Sequence, residues 1–174
     1  TADWLHSNFE DLNEFHPLTS PYFRTLQTAH YLYEATTLSP FHVEPHIREY
    51  HIDKDQEELK TGGLFVPTET LVFDHFNWPN TMRMGHFFPN ESMDEFFDRL
   101  QGFLDSLDQD GKYLVVSHGA TCRTLYALLT GGSLDELKER YSKPLTSKDI
   151  SIKNASITWV RDGKEEWFSK VVYD

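Results

Sequence analysis

The sequence predicts an α/β fold, a three-layer sandwich with a mostly parallel central sheet and helices on both faces. Three observations carry that expectation. Tyr113 to Val116 is a continuous apolar run, the pattern of a strand buried on both faces, and after Gly119 a helical repeat takes over from Thr121 to Leu129. Helical and strand patterns alternate along the rest of the chain, the order that builds helices against a parallel sheet. The length of 174 residues suits one domain with a full core and is short for two.

Taken in order, Ala2 to Leu12 reads as a helix, with Trp4, Leu5, Phe9 and Leu12 on one side. Phe15 to Thr19 reads as a short strand. Ser20-Pro21 is a helix start, Ser as N-cap and Pro in the first turn, for a helix from Tyr22 to about Ala35. Phe41 to Glu44 reads as a strand interrupted by Pro45. Residues 50–90 lose periodicity, mix Gly62-Gly63, Pro67, Pro79 and Pro89 with many aromatics, and read as an irregular lid or insertion. Met93 to Leu107 is strongly amphipathic, and Asp110-Gly111 turns into the apolar strand. Gly131-Gly132 ends the following helix. Ser133, with Glu136 three residues on, opens another through Tyr141. Ser156–Val160 and Glu166–Val172 alternate about Arg161-Asp162-Gly163, as a hairpin does.

Charge narrows the partners. Sixteen basic residues against 28 acidic ones give a net charge of −12, which argues against nucleic acid and anionic membranes. An anionic ligand must then be held by a local cluster of Arg and His. No apolar run is long enough to span a membrane and no signal peptide is visible. The single cysteine, Cys122, excludes an internal disulfide and suits a reducing, cytoplasmic setting. The sequence leaves the oligomeric state open.

The chemistry concentrates after the apolar strand. His118 falls at the strand's carboxyl end and faces a helix N-terminus, where open α/β sheets bind ligands and free amides favour an anion. Cys122 lacks the Cys-x5-Arg spacing of a thiol phosphatase, because Leu128 stands at that position. Val115 to Gly119 lacks the first Gly of a serine-hydrolase elbow. Nine His residues raise a metal site, yet His42 and His46 straddle Pro45 and no H-x-x-x-H pair sits on a convincing helix, so no metal is expected.

Two segments then combine: Ser20-Pro21-Tyr22-Phe23-Arg24-Thr25-Leu26-Gln27-Thr28-Ala29 and Ser117-His118-Gly119-Ala120-Thr121-Cys122-Arg123. Together they resemble the histidine phosphatase, or phosphoglycerate-mutase-like, superfamily, whose S-P-x-x-R-(A/T)-x-Q-T-A and S-H-G-(G/A)-T-x-R segments carry an active-site Arg and His. Ile47-Arg48-Glu49 resembles the family's (L/I)-R-E. Asn90-Glu91-Ser92 with Arg99 resembles its G-E-S…R, with Asn90 in place of Gly, and Lys153 to Ile157 resembles its penultimate strand. The resemblance implies that Arg24 binds the phosphate, that His118 donates to it as the second histidine of the site, and that Glu49 is the general acid. Asp53, Glu57, Glu58 and Glu69 compete for that last role. Ser20, Gly119 and Arg123, from the same two motifs, are the candidate substrate-binding residues.

One departure is clear. The family opens with a central strand ending in R-H-G, whose His is the nucleophile, and this sequence contains no R-H-G. The first central strand and its nucleophilic His are therefore expected upstream of residue 1, since a parallel sheet without that strand leaves backbone groups unpaired and a gap in the core. The implied function is cofactor-free hydrolysis of a small phosphomonoester through phosphohistidine. The alternatives are an inactive phosphatase-like binding or regulatory module and, less favoured, a phosphomutase.

Overall fold

The computed structural model describes residues 2–50, 73–79, 91–142, 156–161 and 163–171. In chain order its elements are α1 (Ala2–Asn8), β1 (Phe15–Thr19), α2 (Phe23–Ala35), β2 (Phe41–Val43), β3 (Phe76–Asn77) and α3 (Met93–Ser106). They continue with β4 (Lys112–Val116), α4 (Gly119–Thr130), α5 (Leu134–Tyr141), β5 (Ser156–Arg161) and β6 (Lys164–Val171). Four strands form one all-parallel sheet in the order β3-β2-β1-β4, while β5 and β6 pair antiparallel in a sheet of their own.

Alternation along the strands divides the core in two. Phe15, Phe41, Val43, Leu114 and Val116 pack with Leu5, Leu26, Ala29 and Leu32 of α1 and α2. Leu18 and Val115 turn the other way, towards Phe96, Phe97, Leu100 and Phe103 of α3, Leu125 of α4 and Leu137 of α5. Helices on both faces of a parallel sheet are the expected three layers. No helix among the described residues is long and apolar enough to cross a membrane.

Several elements differ from the sequence expectation for local reasons. The first helix stops at Asn8, because Ser7 Oγ and Asn8 Nδ2 donate back to the carbonyls of Asp3 and Trp4, and the Asp11 carboxylate then caps a separate 3-10 turn. Pro17 sits within β1 although β1 has neighbours on both sides. Pairing with β2 starts only at Leu18, so the missing donor falls where one flank is open. The lid expected over residues 50–90 lies outside the described residues except at Tyr50 and residues 73–79, where a 3-10 turn (Phe73–His75) leads into the short edge strand β3.

The central apolar strand is also less buried than expected. Tyr113 to Val116 are only partly covered, because β4 pairs with β1 on one edge and no described strand lies on the other. The hairpin, with Gly163 in the left-handed region at φ 70°, packs on α4 without joining the main sheet.

Helix α3 is fixed at its start by reciprocal capping. The Glu95 amide donates to Ser92 Oγ at 3.2 Å and the Ser92 amide donates to the Glu95 carboxylate at 2.7 Å, which also lowers the Glu95 pKa. Ser92→Ala is expected to cost about 1 kcal/mol of stability, read from urea unfolding. A loss below a few tenths of a kcal/mol would show that the amides are equally well served by water.

Candidate active site

The connection β1-α2-β2 runs to one side of β1, whereas β4 lies on its other side, so the strand order reverses between β1 and β4. Ligands of open parallel sheets bind at such a reversal, outside the carboxyl ends of the strands. Here Thr19 and Val116 end the two strands side by side, and the Ser20 amide extends the ladder to the Val116 carbonyl at 3.0 Å. The chain leaves β1 into α2 on one face and β4 into α4 on the other. Both helix N-termini therefore open on the same crevice, with His118 at the N-cap position of α4.

His118 is the hub. Its side chain is 2 % exposed. The Arg24 Nε–H donates to its Nδ1 at 3.1 Å, and Ser20 Oγ lies 2.7 Å from its Nε2. Arg24 can only donate, so Nδ1 is the acceptor and the proton of the neutral ring sits on Nε2, directed at Ser20. The Tyr22 ring meets His118 edge-on at 5.2 Å, and the Arg24 guanidinium lies 5.1 Å from the centre of that ring. Arg24 as a residue is exposed, so its terminal Nη groups remain available to a ligand.

Ser20 illustrates how tertiary contact overrides a local rule. The sequence reads it as the N-cap of α2, but the helix starts at Phe23 and its N-cap, Tyr22, makes no side-chain capping bond. The Ser20 hydroxyl is taken up by His118, and the Tyr22 amide reaches it only at 3.5 Å. Thr25 Oγ1 contacts the Ser20 and Tyr22 carbonyls at 2.9 and 2.7 Å and so closes the turn instead.

Glu49 enters from the segment after β2. Ser117 Oγ donates to the Ile47 carbonyl at 2.7 Å and Thr121 Oγ1 to the Arg48 carbonyl at 2.8 Å, which fastens residues 47–49 to the turn between β4 and α4. The Glu49 carboxylate then stands 4.0 Å from His118 Nδ1. Burial pushes its pKa up; the Tyr50 amide, the Arg24 charge and Thr121 offset part of that rise. Burial likewise pushes the Tyr22 phenol up to about 12, against the pull of Arg48 and Arg24, so it stays neutral. The Cys122 thiol is pushed up to about 12 by burial and by the Glu49 charge, which agrees with its dismissal as a nucleophile.

Behind Glu49 lies a buried ionic triad. Arg48 Nη2 donates to Glu91 at 2.9 Å, and Arg99 grips the same carboxylate with Nε at 2.9 Å and Nη2 at 2.5 Å. A further Nη1 of Arg99 donates to the His46 carbonyl. Burial, then the charge of Arg99, lowers the Arg48 pKa, while Glu91 holds it up.

Of the sequence-derived candidates, Ser20, Arg24, Glu49 and His118 are brought together. Gly119 is the first residue of α4, and a Cβ there would meet nothing within 4 Å, so its side faces open space. Arg123 is buried one turn into α4, where its charge lowers the Tyr141 phenol pKa against the rise caused by burial. The competing acids Asp53, Glu57, Glu58 and Glu69 lie outside the described residues. Sequence reasoning gave no role to Tyr22. Its only signal was its place between Pro21 and Arg24. The roles of Arg48, Glu91 and Arg99 needed the tertiary contacts, although their motifs were visible.

A model described as the histidine phosphatase superfamily (branch 1) matches residues 1–174. A comparison with curated proteins finds no match. Because that model spans the whole sequence, the chain belongs to the histidine phosphatase superfamily (branch 1).

Proposed function

We propose that this protein hydrolyses a small phosphomonoester through a phosphohistidine, the nucleophilic His being carried by a segment outside residues 1–174. Superfamily membership supports phosphatase- or mutase-type chemistry in general. The observation that carries the narrower reading is the arrangement around His118: a buried ring bonded to Ser20 and Arg24, with a carboxylate of raised pKa 4.0 Å away.

The chemistry follows from charge and proton position. The phosphoryl group sits over the two helix N-termini, its oxygens taken by the Arg24 fork and by the Nε2–H of His118, whose place on Ser20 it shares. The imidazole nucleophile forms a P–N bond as the P–O bond to the leaving group breaks. Glu49, protonated, gives its proton to the departing oxygen. Water then attacks the phosphorus as the P–N bond breaks and returns its electron pair to the imidazole, Glu49 takes a proton from that water, and inorganic phosphate leaves. The outer edge of β4, unpaired among the described residues, is where a further parallel strand would place such a nucleophile beside His118.

Glu49 provides the test. Its folded pKa lies above that of the unfolded chain, so the folded state holds the proton longer, and its contribution to stability declines as pH rises from the unfolded towards the folded pKa. Activity needs the protonated form and falls on the same limb. In the full-length protein, Glu49→Gln is expected to slow alkyl phosphate hydrolysis about 10²–10⁴-fold. Because kcat/KM reports only the steps up to P–O cleavage, it should stay within about tenfold for 2,4-dinitrophenyl phosphate, whose leaving group needs no proton, and its basic limb for the alkyl ester should vanish. Equal losses in kcat/KM on both substrates would remove Glu49 as the acid.

A binding module without chemistry is the second reading, favoured by the same open edge of β4, since the described residues include no nucleophile on that side. Acid-labile, alkali-stable phosphoprotein trapped during turnover supports hydrolysis. Micromolar binding of a phosphomonoester without turnover by the full-length protein supports the module.

A further inference from the structure

A second cluster lies beyond the His118 centre, and the proposed reaction does not use it. His30 and Glu34 are four residues apart on α2 and so share a face of the helix. His75 ends the 3-10 turn that leads into β3. His30 Nδ1 and His75 Nδ1 are 2.9 Å apart, with the two rings nearly parallel at 16°. His75 Nε2 lies 3.2 Å from the Glu34 carboxylate, and the Tyr33 ring covers His75 at 4.1 Å. One ligating atom from each of His30, Glu34 and His75 falls within 4.8 Å of the others. Along α2, His30 is six residues past Arg24, roughly 9 Å at the helical rise.

From this geometry we infer that His30, Glu34 and His75 form a binding site for a divalent transition cation of the zinc class. Two imidazoles and one carboxylate are the donor set such a cation takes, and nitrogen donors disfavour magnesium and calcium. Zinc–ligand bonds of about 2.0–2.2 Å put neighbouring ligand atoms of a tetrahedron about 3.3 Å apart, close to the spacing already present between the two nitrogens. Two imidazole nitrogens facing each other at 2.9 Å must share one proton. A cation takes the place of that proton and accepts both lone pairs. His75 is 8 % exposed and held by its neighbours, while the Glu34 side chain is 54 % exposed and free to turn its carboxylate inward as the third ligand. The fourth position is left to water.

Such a site ties two distant parts of the chain together. Its ligands come from the middle of α2 and from the entry to an edge strand of two residues, which on its own has little to hold it. The bound cation pins β3 to the helix whose N-terminus carries Arg24. No H-x-x-x-H pair marks the site in the sequence, because its helical pair is His and Glu and the second His comes from 45 positions away.

The test is a titration of chelator-treated full-length protein with Zn²⁺ in a non-coordinating buffer, followed by calorimetry and thermal unfolding. One equivalent is expected to bind and to raise Tm, as any ligand of the folded state does. Because His75 is buried and its loss could unfold the protein, the deciding variants are His30→Gln and Glu34→Gln, at half-buried and exposed positions. Each is expected to weaken zinc at least about tenfold and to abolish the rise in Tm. Co²⁺ bound in its place is expected to show the intense visible absorption of a tetrahedral centre, lost in both variants. Uptake and stabilisation unchanged in both variants, or no uptake by the parent protein, would overturn the site and leave a hydrogen-bonded His–His–Glu relay.

Discussion

Replacing His118 with Ala is expected to lower aryl phosphate hydrolysis by the full-length protein about 10²–10³-fold, the usual cost of losing one preorganised donor to a developing charge. Arg24→Ala is expected to match it. The structure makes these two side chains one unit, since Arg24 Nε donates to His118 Nδ1 and thereby sets the tautomer whose Nε2–H is directed at Ser20. The double variant should consequently fall little further than either single one. Arg24→Lys keeps the charge but loses both the Nε–H that orients His118 and the planar fork, and is expected to restore little. The two single variants differ in their effect on folding. Arg24 is exposed and its removal leaves the core intact. His118 is buried, and its removal strands the Ser20 hydroxyl at a cost of about 1–3 kcal/mol. Circular dichroism and urea unfolding of each variant separate lost chemistry from lost fold. Turnover within a few-fold of the parent in a folded Arg24→Ala variant would remove Arg24 from the site.

The largest stability effect is expected at Glu91, although it touches no reacting atom. Its carboxylate is the shared counter-charge of Arg48 and Arg99, and all three side chains are nearly covered, at 7, 11 and 8 % exposure. Glu91→Gln leaves two neighbouring guanidinium groups buried with no opposite charge between them. Breaking a buried pair in this way costs about 3–5 kcal/mol. By contrast, removing the exposed Lys138–Asp94 pair should leave the unfolding midpoint almost unmoved, because solvent screens it. Urea unfolding followed by circular dichroism reads both. The same substitution should also depress activity, because Arg99 donates to the carbonyl of His46 and the Arg48 backbone leads directly into Glu49. A loss below 1 kcal/mol for Glu91→Gln would mean that water already reaches the triad.

The fold class and the two central motifs were legible because they rest on local patterning. Apolar spacing marks α3 and α4, and the run Tyr113–Val116 marks β4. Ser133 caps α5 as its spacing to Glu136 predicts, the Glu136 amide donating to it at 3.2 Å. The limits of local reading are equally specific. Ser20 looks like a helix cap and becomes a partner of His118, a residue 98 positions away. His30 and Glu34 look like surface residues of α2 until the turn at His75 folds against them.

By itself, then, the sequence determined the α/β class and the order of most elements, since propensity and periodicity act between near neighbours; the resemblance of its motifs to the histidine phosphatase superfamily named Arg24, Glu49 and His118 as candidates. Tertiary structure alone decided the tautomer of His118, the raised pKa of Glu49, the Arg48–Glu91–Arg99 triad and the His30–Glu34–His75 cluster. Each of these depends on desolvation or on a contact between groups far apart in the chain, and both come into being only when the layers pack.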